Sequence, residues 1–253
     1  MSLAMHSPIP IFGEKGFTLV EMAIVLMIVG LLLGGMLVPL SAQMEQRNIS
    51  DTRKTLDEIQ KALIGYAVIN GRLPCPATVT PTNSYGAESF ASPSDNSSTG
   101  NCLDFYGGYV PAATLGISGT DNSGFAIDAW GNRIHYAATK WNNYTFTKNN
   151  GMSTAGLSNL NPDLLVCSSS TASGFSGSSC GANNALTSSP GVPVVIFSTG
   201  KNGANSGGAD ETANLNGNKI FISHDPTTTF DDLVFWISPN VLVNRMVAAG
   251  KLP

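Results

Sequence analysis

From Phe17 to Val38 the chain is almost wholly apolar, and its only ionisable side chain is Glu21. At about 1.5 Å per residue this run makes a helix of ~33 Å, enough to cross the hydrocarbon of a bilayer. A secretory signal has a shorter apolar core, with its small-residue cleavage site after that core. Here the order is reversed, because Lys15 and Gly16 come before the run. A cut after Gly16 leaves the apolar helix on the mature chain, with Phe17 as its first residue. Glu21 is the odd residue. A carboxylate inside a membrane helix costs roughly 2.5–3.5 kcal/mol, and such groups usually have a partner and a task. The plainer reading is a glutamate that stays near the headgroups or takes up a proton.

The ordered set Gly16-Phe17-Thr18-Leu19-Val20-Glu21-Met22, with the apolar run behind it, resembles the type III signal of type IV prepilins and type II secretion pseudopilins. The resemblance implies cleavage between Gly16 and Phe17 by a prepilin peptidase, N-methylation of Phe17 by the same enzyme, and an assembly role for Glu21. In that family this glutamate pairs with the N-terminal amine of a neighbouring subunit. The implied partners are the peptidase/N-methyltransferase, other pilin or pseudopilin subunits and an inner-membrane assembly platform. The implied location is the bacterial inner membrane, single-pass with the head in the periplasm, and then the filament.

Residues 1–16 read as the leader, partly apolar from Pro8 to Phe12, with Met5 as an alternative start. Lys15 is its one clear positive charge, so orientation rests on the cleavage motif more than on charge. Residues 17–39 read as the transmembrane and filament-core helix. Gly30, Gly34, Gly35 and Pro39 are poor helix formers within or just past it. They mark either a local unwinding between Gly30 and Pro39, as filament pilins show, or close helix packing. Residues 40–70 read as the periplasmic half of the same helix, with Leu56, Ile59, Leu63, Tyr66 and Ala67 on one face. Asn70-Gly71 is a stop, and Pro74 and Pro76 prevent resumption.

Residues 71–253 read as one β-rich head, large enough for a single core. Gly, Ser, Asn and Thr are abundant there, which predicts long loops. A formal charge of −4 argues against a nucleic-acid groove, which relies on clustered Lys and Arg. Cys75, Cys102, Cys167 and Cys180 all follow the apolar run, and an even count in an exported domain predicts two disulfides. Of the three connectivities, Cys75–Cys102 with Cys167–Cys180 closes the shortest loops. Zinc is disfavoured, since no C-x-x-C pair occurs and His6, His135 and His224 are not at metal spacing.

Strands are predicted after the Gly131-Asn132 turn (Ile134, Tyr136, Ala138), over 193–198, over 219–223 and over 230–237, with a last helical turn after Ser238-Pro239. Asp128-Ala129-Trp130-Gly131 resembles a turn of the major pseudopilins, with Trp130 as a core aromatic. In those proteins a Gly-rich loop matching residues 198–211 binds calcium through aspartates and backbone carbonyls. On that resemblance Asn202 and Asp210 are the candidate calcium ligands, against a solvated loop with no ion.

No catalytic constellation is legible. Gly177-Ser178-Ser179-Cys180-Gly181 matches G-x-S-x-G, but its flanks are Ser/Gly loop instead of strand and helix. Asp231 and Asp232, read within a strand, point to opposite faces and so make no acid/base pair. The expected fold is therefore an α+β, pilin-like lollipop with a long N-terminal α-helical spine and a β-rich head. The expected function is a structural subunit, a minor pilin or pseudopilin. The alternative is a membrane-anchored periplasmic enzyme or binding protein that forms no filament.

Overall fold

The computed structural model describes residues 16–79, 85–203 and 207–252, with the side chains of 35–40 outside the described set. The leader reading falls on residues 1–15 and lies outside it. The chain divides into two compact units, one ending at Gln46 and one beginning at Arg47. A single helix, α1 (Leu19–Asn70), contributes to both. Its backbone is helical throughout, so of the two readings of Gly30 to Pro39 the local unwinding is not present. Among the described residues no helix is long and apolar enough to cross a membrane. The described side chains of the apolar run end at Gly34, short of the ~20 residues a span needs.

In the second unit α1 presents Leu56, Ile59, Leu63 and Ala67, all fully buried. Their three- and four-residue spacing puts them on one face. Gly71 ends the helix: at φ +69° it adopts the left-handed conformation, and its N–H donates to the Ala67 carbonyl at 2.8 Å.

Helix α1 is followed by α2 (Ala112–Leu115), β1 (His135–Ala138), α3 (Gly151–Ala155), β2 (Leu165–Cys167) and β3 (Val194–Ser198). Then come α4 (Ala209–Asn214), β4 (Ile220–Ile222), β5 (Leu233–Ile237) and α5 (Pro239–Ala248). Strands β1, β3 and β5 form an antiparallel sheet with β3 central, in register His135 opposite Phe197 and Val194 opposite Ile237. Strands β2 and β4 form a parallel pair, Leu165 opposite Ile220. This unit contains strands but is dominated by turns and connections, so β-rich overstates it.

Every residue of β3 is buried, which explains its unbroken apolar sequence. Val194 and Ile196 face a core shared with α1, Tyr136, Leu242 and Met246. Val195 and Phe197 face the other way, onto Val166 and Phe221 of the two-stranded sheet. The far side of that sheet buries Cys167, Ile220 and Ile222 against Ala213 and Phe230. The second unit is thus layered as helix, sheet, sheet. Disulfides Cys75–Cys102 and Cys167–Cys180 close loops of 27 and 13 residues' separation.

Candidate functional site

The N-terminal segment begins with Gly16 and Phe17, both exposed and outside the helix. A Cβ placed on Gly16 meets no atom within 4 Å, so nothing in the described chain demands glycine there. Thr18 is the N-cap residue of α1: its carbonyl accepts from Met22 N–H at 3.1 Å. The Glu21 carboxylate accepts from the Thr18 backbone N–H at 2.8 Å and its hydroxyl at 2.9 Å, and Thr18 Oγ1 accepts from Glu21 N–H at 3.2 Å. This is a reciprocal capping box, Thr-x-x-Glu. It folds Glu21 back over the first turn, toward the residue that becomes the N-terminus after a cut at Gly16. Beyond it the side chains are exposed on all sides, from Leu19 at 88 % to Val29 at 43 % and Leu33 at 60 %.

The second candidate site lies around the Gly-rich loop. Gly200 leaves β3 at φ +62°, and a Cβ there would lie 2.6 Å from Asp231 Oδ1, so glycine is required. Asp231 Oδ2 accepts from the N–H groups of Lys201 (2.9 Å) and Asn202 (3.2 Å). Glu211, almost fully buried, accepts from Asn202 Nδ2 on both oxygens at 3.0 Å, and from the N–H groups of Gly207 and Asp231. The Trp-Gly turn docks on the same loop. Asp128 accepts from the Trp130 and Asn132 N–H groups and from Ser198 Oγ, while Asn132 Nδ2 donates to the Gly200 carbonyl at 2.7 Å. Trp130 packs half-buried against the main core. The two motifs singled out by resemblance are therefore one structural unit.

The carboxylates gathered here are Glu211, Asp231 and Asp232, each with a ligand atom within 4.8 Å of the others'. Asp231 and Asp232 do not alternate along a strand, because β5 starts only at Leu233. Burial pushes the Asp232 carboxyl up to about 7, with the charges of Glu211 and Asp231 adding to the shift and a bond from Asn214 opposing it. Burial also raises Asp231.

Asp210 stands apart from this cluster. It accepts from the backbone and hydroxyl of Ser170, both at 2.6 Å, and from His224 Nε2 at 3.2 Å, tying α4 to the second disulfide loop. Of the two calcium ligands expected, only Asn202 is at the site, and the carboxylate beside it is Glu211. Asn202 Oδ1 and Asp231 Oδ1 are buried without a hydrogen-bond partner among the described residues. Orphaned oxygens beside crowded carboxylates fit a hard cation, which takes six to eight oxygens. Glu211 was missed in the sequence; its only signal was a second acid directly after Asp210.

The described histidines, His135 and His224, lie in separate environments. His135 is sandwiched between Tyr109 and Phe197, at 4.7 and 4.6 Å between ring centroids, and burial lowers its ring to about 4. His224 is engaged on both nitrogens, by Asp210 and by the Asp225 carbonyl, and stacks on Phe230. The G-x-S-x-G match is a tight turn, with Ser176 and Ser179 bonded backbone to backbone.

Residues 11–37 match the family model described as the prokaryotic N-terminal methylation motif. The chain therefore carries the prepilin-type signal of type IV pilins and pseudopilins. Neither a curated protein nor a solved structure matched the chain.

Proposed function

We propose that this chain is a structural subunit of a type IV pilus or type II secretion pseudopilus, held in the inner membrane until its leader is removed after Gly16. The observation that carries this reading is the sleeve of exposed apolar side chains along α1, from Leu19 to Leu33, which lies within the methylation motif. Such a sleeve is stable only when covered. Lipid covers it first; once the subunit leaves the bilayer, the same segment of neighbouring copies covers it, at roughly 25 cal/mol per Å² buried. Glu21, parked by Thr18 in the capping box, is the one charge on the sleeve and the group that meets the Phe17 amine of a neighbour. The head has no enzymatic role in this reading: both His224 nitrogens face acceptors, and His135, partly buried, is stacked between Tyr109 and Phe197.

A cation at the Gly-rich loop would be held by Asn202, Glu211, Asp231 and Asp232. It would neutralise the three crowded carboxylates and pin the loop beside the Trp-Gly turn.

The test is N-terminal sequencing of the protein purified from its native membrane. N-methylated Phe17 as first residue is expected, with full-length precursor accumulating in Gly16→Leu. A different first residue, or normal processing of the variant, would overturn the proposal.

A further inference from the structure

Between the second disulfide loop and the connection that follows β1 lies an open cleft of about 520 Å³, lined by Trp141, Asn161, Asp163, Ser178, Ser189 and Lys219 among others. Its size lies within the range of small-molecule sites, ~300–1,000 Å³. Nothing in the pilin-like reading uses it.

The polar groups of the cleft divide into two kinds. Asp163 is already committed: it accepts from Tyr106 OH at 2.9 Å, Thr139 Oγ1 at 2.6 Å and Lys140 N–H at 3.2 Å. The indole N–H of Trp141, the Asn161 amide, the Ser178 and Ser189 hydroxyls and the Lys219 ammonium have no partner among the described residues. The one lining carboxylate is thus compensated by three donors, and the one lining cation is not. Trp141 is 38 % exposed, so its ring offers an apolar surface with a polar edge.

The backbone that carries Trp141 is held in an unusual form. The next three residues, Asn142, Asn143 and Tyr144, have φ of 41°, 53° and 62°, and none is glycine. A non-glycine residue in this conformation is strained and persists only where its surroundings over-determine it. Here Thr145 N–H donates to the Trp141 carbonyl at 3.1 Å and Thr145 Oγ1 to the Asn142 carbonyl at 2.6 Å. The opposite wall is fixed by the Cys167–Cys180 disulfide and by Asn184, whose amide donates to the Ser169 and Cys180 carbonyls. Both walls are pre-organised, which lowers the entropy cost of binding.

We propose that this cleft binds a saccharide bearing a carboxylate, one or two pyranose rings in length. The C–H face of a ring lies on the Trp141 indole, the sugar hydroxyls bond to Asn161, Ser178 and Ser189, and the carboxylate pairs with Lys219. A neutral sugar leaves the ammonium unpaired, and a simple carboxylic acid leaves the indole and the hydroxyls unused.

The test is a fluorescence titration of full-length protein, in a detergent without a sugar headgroup, with digalacturonic acid as probe and cellobiose as neutral control. Saturable quenching by digalacturonate is expected, with cellobiose at least tenfold weaker. Lys219→Met should weaken digalacturonate about tenfold, the loss of one charged hydrogen bond. Trp141→Ala should abolish the quench while its melting temperature stays at the wild-type value. Absence of saturable quenching in the wild type, or unchanged affinity in either variant by equilibrium dialysis, would overturn the site. Equal affinity for cellobiose would overturn the carboxylate assignment.

Discussion

Arg72 and Glu88 face each other as a two-pronged ion pair, Nη1 to Oε2 and Nη2 to Oε1 both at 2.7 Å, with side chains only 5 % and 15 % exposed. The pair fastens the end of α1 to the first disulfide loop: Arg72 also donates to Tyr66 OH, and Glu88 accepts from Cys75 N–H. Removing one partner strands the other charge away from water. Glu88→Ala should therefore lower unfolding free energy by about 3–5 kcal/mol, read by denaturant titration, while the double variant Arg72→Met/Glu88→Leu recovers much of it. A loss under about 1 kcal/mol, the range of surface pairs, would count against this clamp.

Asp232 sets a pH dependence. Its carboxyl is pushed up to about 7 in the fold, against an unfolded value near ~3.9. Between those values the native state holds the extra proton, so stability is greatest below the unfolded value and falls as pH rises through about 7. The ring of His135, lowered to about 4, works in the opposite sense up to its unfolded value of ~6.5, so the melting temperature should drop between about pH 6.5 and pH 8, and Asp232→Asn should flatten that slope. The depressed carboxyl of Asp210, held down by Ser170 and His224 against the opposing effect of burial, acts only at lower pH and leaves this window clear. A slope unchanged in Asp232→Asn would remove Asp232 as its source.

Calcium should substitute for that proton. Metal binding needs deprotonated ligands, so millimolar calcium should raise the melting temperature at pH 8 and much less at pH 5. Asn202→Asp should enlarge the effect by adding a carboxylate. Identical melting with and without calcium at pH 8 would speak against a cation at Glu211, Asp231 and Asp232.

The capping box can be separated from cleavage. Thr18→Ala removes the hydroxyl from Glu21 and should cost the helix start about 1 kcal/mol. Faster amide exchange over the first turn of α1 is the expected readout, with processing after Gly16 intact. Unchanged exchange would mean that Thr18 does not hold Glu21.

The two disulfides should contribute similarly. By loop-closure entropy each adds about 3 kcal/mol, the longer Cys75–Cys102 loop slightly more. Paired Cys→Ser variants compared by urea unfolding should differ by less than about 1 kcal/mol. A difference of several kcal/mol would show that one bridge does more than shorten the free chain.

Features governed by strong local rules could be read before folding. Asn70-Gly71 marked the end of α1 because a left-handed glycine follows it, and β3 showed as an unbroken apolar run because both its faces are covered. The Thr-x-x-Glu cap was also present in the sequence at Thr18 and Glu21, but a carboxylate that close to a membrane run has a second reading as an assembly charge. Features set by distant partners were not legible. Strand β2 is three residues in a Ser/Asn-rich stretch, and it exists because β4 pairs with it in parallel from far along the chain. Helix α4, six residues long, is too short to show a period. The strand expected from residue 230 starts at Leu233 because Phe230 turns back, its carbonyl accepting from Thr227 N–H at 2.8 Å. That turn frees Asp231 and Asp232 to join Glu211, so the error in the element boundary and the missed acid are the same error.

The apolar skin of α1 between Leu19 and Leu33 has no bald side and no oily side. A rod coated uniformly can be wrapped at any rotation about its own axis with nearly equal gain, so grease alone carries no angular information. Whatever encloses this segment must take its bearing from the single charged mark on the rod. That makes Glu21 a compass needle as much as a clasp.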